Sequence, residues 1–220
     1  MGYTHYWYRP ANIQPDKFKA IGRDIITLVN RFQKYSLPLG DGWGKNKPII
    51  TQDLIEFNGR VDCGHETKNL GITWPAPKNL KQEDCHTGPV LGEMLAKEFG
   101  SEHVLTVPSD EIESEGYPKW FAGAYLKQRE CGGDCSHEPF TFPIAETQNS
   151  WRQDEPLVFA FTKTAFKPYD LAVTAALIVV KHYVPEVIVH SDGESHNWDD
   201  ARMVCMEWLG YGSDFQIDTD

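Results

Sequence analysis

Two short polar clusters hold most of the residues able to do chemistry. The first, "KTAFKPYD", carries Lys163, Thr164, Lys167, Tyr169 and Asp170 immediately ahead of the apolar run "LAVTAALIVV" (171–180). The second, "SDGE", carries Ser191, Asp192 and Glu194 immediately after the apolar segment "EVIVH". Two ammonium groups and a hydroxyl beside a helix N-terminus suit a phosphate or carboxylate, because the first amides of a helix point outward and the dipole favours negative charge. Asp192 and Glu194 are suited to hold Mg²⁺ or to orient a hydroxyl. The same residues can equally serve as caps and turns.

A third group is rich in thiol and imidazole. "CGGDCSH" offers Cys131, Cys135 and His137, and the same half of the chain holds Cys63, His65, Cys85 and His86. Tetrahedral zinc takes four such ligands and can staple a segment with little core of its own. Only one C-x₃-C is present, so the spacing is not a two-knuckle pattern. Structural zinc and unliganded thiols both remain open. Cys205 falls on the apolar face of a helix and is expected to be a buried, unreactive thiol.

Several familiar motifs fail on inspection. "KTAFKP" has no glycines of a phosphate-binding loop, and "HETKN" has Asn69 where a zinc protease needs its second histidine. "DGESHNWDDARM" lacks the glycine and glutamate of a calcium loop. No nucleophile and base can be paired by spacing.

The elements that position these clusters follow from periodicity. "PLVFAFT" (156–162) reads as a buried strand, "PYDLAVTAALIVVKHY" (168–183) as a buried helix and "EVIVHS" (186–191) as a second strand. Strand, helix, strand is a βαβ unit, whose strands run the same way and bring their C-terminal ends, and both clusters, to one edge. "DDARMVCMEWLG" (199–210) reads as a last helix stopped by Gly210.

At the other end, "GYTHYWYR" (2–9) alternates as a strand with both faces covered, His5 lying among aromatics as a satisfied histidine. Pro15 opens a helix over 15–34, with Phe18, Ile21, Ile25, Leu28 and Phe32 on one face. Asn58-Gly59 predicts a type I′ hairpin turn after an extended segment. Residues 68–150 read as a loop-rich elaboration, with short helix candidates at 90–100 and, as helix or strand, at 120–130. The expected fold is therefore a single α/β (or α+β) domain with a mixed sheet, the N-terminal strand and hairpin joining the C-terminal βαβ unit.

The formal charge of −11 argues against nucleic acid and anionic membrane as partners. No apolar run reaches the roughly 20 residues of a membrane span, and no signal peptide is visible, so an intracellular, cytoplasmic protein is expected.

The opening "MGYTHYW", with "FNG" (57–59), "HET" (65–67), "KTAFKPYD" (163–170) and "SDG" (191–193), resembles a loosely defined family of uncharacterised proteins found in bacteriophages and bacteria. The likeness covers the first strand and helix, the hairpin and the final third, and does not clearly cover about 70–150. It implies a phage or prophage setting in a host cytoplasm and transfers no catalytic residue. Two functions follow as expectations. One is binding, with processing left open, of a small anionic, nucleotide-like ligand at the strand ends. The other is non-enzymatic binding of a protein partner through an aromatic and acidic surface.

Overall fold

The computed structural model describes residues 2–34, 37, 39–63, 133–146 and 157–219, together with two short strands at 119–122 and 127–130. Strand β1 (Thr4–Pro10) leads into helix α1 (Pro15–Lys34), which starts at Pro15 as its sequence requires. Phe18, Ile21, Ile25, Leu28 and Phe32 are all buried on one face of α1. Strands β2 (Leu39–Gly40), β3 (Ile49–Ile50) and β4 (Leu54–Gly59) follow. Strands β5 (Lys119–Ala122) and β6 (Lys127–Glu130) pair with each other, so the described parts of the 120–130 segment are strand. The 90–100 helix candidate lies outside the described residues.

Strand β7 (Phe140–Pro143) pairs with β4, which also carries β2 and β3, so β4 is the centre of a four-stranded sheet. The last third runs β8 (Leu157–Lys163), α2 (Asp170–Tyr183), β9 (Ile188–Ser191), a short 3₁₀ turn (Ser195–Trp198) and α3 (Asp199–Leu209). Helix α2 packs between α1 and α3. Gly210 ends α3 in the left-handed conformation and returns its amide to Cys205 and Met206.

Strand, helix and strand thus appear where the apolar pattern places them, but β8 and β9 are not neighbours. The sheet order is β8-β1-β9, with β1 antiparallel to both. The two outer strands still run the same way, and the N-terminal strand fills the gap between them. Every pairing among the described strands is antiparallel, so the sheet is mixed only in the sense that β8 and β9 are parallel across β1. Arg9 ties this sheet to the other. It is fully buried, lies 4.2 Å over the Phe142 ring, and donates to the carbonyls of Pro10, Pro143 and Ile144. Burial lowers its pKa to about 10, with Glu146 at 4.0 Å opposing that shift.

The hairpin turn expected at Asn58-Gly59 does not form, because both residues belong to β4. The turn lies instead at Thr51–Leu54, where the Thr51 amide and hydroxyl both meet the Leu54 carbonyl. Asn58 is buried and acts as a polar stitch. Its amide group donates to the Gly42 and His137 carbonyls, and its oxygen accepts from the Gly59 and His137 amides. Gly59 is there for close approach, since a Cβ would lie 1.8 Å from the Cys135 carbonyl oxygen. Gly59→Ala is therefore expected to cost about 2–3 kcal/mol through forced separation of the two segments, measured as a urea midpoint shift at unchanged slope.

A carboxylate holds the helical layer together. Asp24 of α1 accepts from Tyr183 at 2.7 Å, from Tyr211 at 2.8 Å and from Arg23 at 3.0 Å, tying α1 to the end of α2 and to the segment after α3. Burial by itself would raise its pKa, but these donors outweigh it and hold the carboxyl below its ordinary value. A depressed carboxyl contributes stability that is present above its unfolded-state pKa, near 4, and is lost as pH falls through the lower folded value. The stability difference between the native chain and Asp24→Asn should accordingly be large at pH 7 and shrink below about pH 4 in matched urea titrations.

No helix among the described residues is long and apolar enough to cross a membrane.

Candidate functional site

Cross-strand register builds the site. Alternation along β1 turns His5, Trp7 and Arg9 inward, and all three are buried. His5 lies opposite Thr162 of β8 on one side and Ser191 of β9 on the other. Residues directly opposite in antiparallel strands share a face at close range, so Thr162, His5 and Ser191 form one inward row. The first turn of α2 lies against this row and brings in Asp170.

The contacts form a chain. Ser191 Oγ lies 3.0 Å from His5 Nδ1, and His5 Nε2 lies 2.8 Å from Asp170 Oδ1. Thr164 Oγ1 donates to the same Asp170 oxygen at 2.6 Å. A carboxylate only accepts, so Asp170 fixes the imidazole proton on Nε2 and leaves Nδ1 to accept the Ser191 hydroxyl proton. His5, Asp170 and Thr164 are fully buried, whereas Ser191 is half-buried, so the chain runs from the surface into the core. The rings of Trp198 and Tyr3 pack edge-on against the imidazole at 5.0 and 5.2 Å and hold its plane.

The surrounding backbone is closely fitted. The Gly193 amide donates to Ser191 Oγ at 3.0 Å, and a Cβ at Gly193 would lie 1.9 Å from the Tyr3 hydroxyl. Ala165 and Phe166 both adopt positive φ, 51° and 53°, in a turn closed by the Lys167 amide on the Thr164 carbonyl. For residues with a Cβ this costs roughly 1–2 kcal/mol each. The turn delivers Thr164 and Asp170 to the same point, and its Phe166 ring meets Tyr3 at 4.8 Å.

The two polar clusters do share an edge, with Tyr3 and Thr4 between them. Tyr3 accepts from the Thr164 and Ala165 amides, and Thr4 accepts from the Asp192 amide. Their side chains are largely engaged by the protein itself. Lys163 is half-exposed and 3.8 Å from Glu138, and Lys167 donates to the Asp134 carbonyl. Tyr169, expected to stack on or donate to a ligand, is fully buried and donates to the Glu138 and Lys163 carbonyls. Its burial, with the charges of Asp170 and Glu138, pushes the phenol above its ordinary range. Asp192 is exposed, but its oxygens accept from the Thr4 amide at 2.9 Å and the Tyr6 hydroxyl at 2.7 Å.

The expected anion seat at the start of α2 is also closed. Asp170, Leu171 and Ala172 give their amides to the carbonyls of Lys167, Pro168 and Tyr169. A turn of chain ahead of the helix has taken the donors that a phosphate would need.

Of the thiol and imidazole group, Cys131, His65 and Cys85 lie outside the described residues. Cys135 is buried, Cys63 is half-buried with Sγ 3.8 Å from the Gly133 carbonyl, and exposed His137 uses Nδ1 on the Lys163 carbonyl at 2.9 Å. Among the described residues no three such side chains group as metal ligands. Cys205 is buried, and burial pushes its thiol above the ordinary range, as its place on the apolar face of α3 implies. A separate cavity of about 630 Å³, lined by Lys181, His182 and the segment 212–219, opens at the far end of α2 from Asp170.

The sequence pattern marks Ser191, Thr164 and Asp170 but reads His5 as a satisfied histidine. The available signal is its place on the same side of the strand as Tyr3 and Trp7. A buried histidine needs two partners, and the two clusters were the nearest candidates.

Fold and site together define an α/β protein with a Ser–His–Asp hydrogen-bonded chain at the edge of a three-stranded antiparallel sheet. Beyond that class, no family model, curated protein or solved structure matches the chain.

Proposed function

We propose that the chain is a hydrolase or acyl transferase that uses Ser191 as its nucleophile on a small activated ester. The observation that carries this is the continuous contact from Ser191 Oγ through His5 to Asp170. Such a triad is recognised by geometry and role, and it recurs in different chain orders on unrelated folds. Here the imidazole is turned over relative to the commonest arrangement, with Nδ1 facing the serine. The chemistry is unaffected, because either nitrogen serves as base once the other is held by a carboxylate.

In the first step the Ser191 oxygen bonds to the acyl carbon and its proton passes to His5 Nδ1. His5 then returns that proton to the departing alcohol as the ester C–O bond breaks, leaving acyl-Ser191. Water then bonds to the acyl carbon and gives a proton to His5, which passes it to Ser191 Oγ as the acyl–Oγ bond breaks and the acid leaves. Asp170 is a positioning residue that fixes the tautomer and supports the imidazolium. The Gly193 amide donates to Ser191 Oγ at 3.0 Å and leaves the hydroxyl proton directed at His5 Nδ1. An anionic ligand at this edge would have to displace Glu138 from Lys163 and the Asp134 carbonyl from Lys167, so the proposed substrate is not required to be charged.

The test is covalent labelling of the full chain with a fluorophosphonate, in which a Ser191 Oγ–P bond replaces P–F and fluoride leaves. Peptide mapping should place a single label on Ser191. Modification of other serines only, or of none after prolonged incubation, would sink the proposal.

A further inference from the structure

We propose that the outer face of the β8-β1-β9 sheet is a docking surface for a basic polypeptide segment. This stands on the face opposite His5 and does not rest on the hydrolase proposal. The register that turns His5 and Trp7 inward sets Phe161, Tyr6 and His190 in one outward row, and Phe159, Tyr8 and Ile188 in the next. The apolar run 156–162 reads as a buried strand and 2–9 as covered on both faces. Yet Phe161 and Phe159 of β8 are 47% and 39% exposed, Ile188 of β9 is 36% exposed, and Tyr6 and Tyr8 of β1 are only half-buried, because β8, β1 and β9 form an open sheet with one packed face. The rings form one continuous block. Phe159 lies 6.3 Å from Tyr6, 5.3 Å from Tyr8 and 5.8 Å from Phe161, and Tyr8 meets His190 at 6.0 Å. Contiguous exposed apolar surface of this kind marks a binding face.

Charge selects the occupant. The faces of aromatic rings attract cations, arginine most of all. This face already carries one, the Lys163 ammonium 6.0 Å over the Phe161 ring. At the same end, the Tyr6 hydroxyl holds the Asp192 carboxylate in place at 2.7 Å, so a guanidinium lying on Tyr6 would find an acceptor at its edge. The net charge of −11 repels nucleic acid, anionic membrane and a second copy of the chain alike, and attracts a basic segment. Ring faces beside a carboxylate in an acidic protein fit arginine side chains of an extended strand or loop.

The probe is a fluorescein-labelled hexa-arginine peptide titrated with the full chain, read by fluorescence anisotropy at low and at near-physiological salt. Phe159→Ala/Phe161→Ala changes no charge and should weaken binding about 10-fold, and Asp192→Asn about 3-fold with a shallower salt dependence. Should the double variant fail to fold by circular dichroism, Phe161→Ala alone, at the most exposed position, should still weaken binding about 3-fold. Equal peptide affinity in native and phenylalanine-substituted chains would show general electrostatics and overturn the proposal. So would binding of hexaglutamate or oligothymidylate at equal or higher affinity, or self-association in sedimentation that the double variant abolishes.

Discussion

Ser191→Ala is expected to abolish fluorophosphonate labelling while leaving the chain folded, a loss of at least about 10³-fold in labelling rate. The hydroxyl is the nucleophile, and alanine has nothing to offer the phosphorus. The fold should survive because Ser191 ends β9 at a half-buried position. Its removal leaves one ring nitrogen of His5 without a donor, worth about 1–3 kcal/mol. Asp170→Asn separates positioning from chemistry. The amide keeps the volume of the carboxylate but can present a donor to His5 Nε2, which favours the wrong tautomer. Labelling should fall about 10³–10⁴-fold at Ser191 while the probe concentration for half-maximal rate stays put. A merely structural role for Asp170 predicts instead that labelling tracks the folded fraction. If Asp170→Asn labels at the native rate, the relay is not the mechanism.

Asp170→Ala is the second large effect, and it concerns stability. The carboxylate is fully buried and accepts from His5 and from Thr164. Deleting it strands the imidazole Nε2–H, leaves the Thr164 hydroxyl only its longer 3.4 Å contact with the Tyr3 carbonyl, and opens a void at the start of α2. The two lost acceptor contacts, at about 1–3 kcal/mol each, together with the void cost about 3–5 kcal/mol, a large share of the roughly 5–15 kcal/mol that holds a domain folded. For a chain of this size that corresponds to a melting-temperature drop of about 6–20 °C. Thr164→Val, which removes one donor and keeps the shape, should cost only about 1 kcal/mol. A calorimetric result in which Asp170→Ala melts within a degree of the native chain would show that the buried chain contributes nothing to the fold.

The strain beside this network fits the same picture. Two consecutive residues with positive φ, Ala165 and Phe166, are kept where glycine would be cheaper. They place Thr164 and the α2 N-terminus so that one carboxylate serves both donors. The helix thereby gives up its capacity as an anion site: its first amides close onto the preceding turn, and its positive end faces Asp170. Sequence shows a helix beginning at Pro168-Tyr169-Asp170, but not how the chain before it folds back.

How far the fold was legible depended on whether the signal was local. Helix α1 runs over the residues its apolar spacing marks, because each face residue reports independently and the spacing of three or four is repeated four times from Phe18 to Phe32. The β8–α2–β9 succession was legible for the same reason, through three apolar segments of the right lengths bounded by turn residues. Asn58-Gly59 misled, since the pair that favours a tight turn also suits a polar stitch and a close crossing. Only the presence of Cys135 and His137 opposite it, 76 and 79 positions on, decides between them.

By itself the sequence determined β1, α1, the β8–α2–β9 succession, α3 and the two polar clusters that follow β8 and β9. Tertiary structure alone decided that β1 enters between β8 and β9, and with that one insertion it set both faces of the sheet. Inward, His5 was paired with Ser191 and Asp170. Outward, Tyr6 and Tyr8 were laid against Phe159 and Phe161. The physical reason is register: shifting an antiparallel strand by one residue turns every side chain to the other face. No local propensity sets that register, which depends on hydrogen bonds between segments 147 or more residues apart.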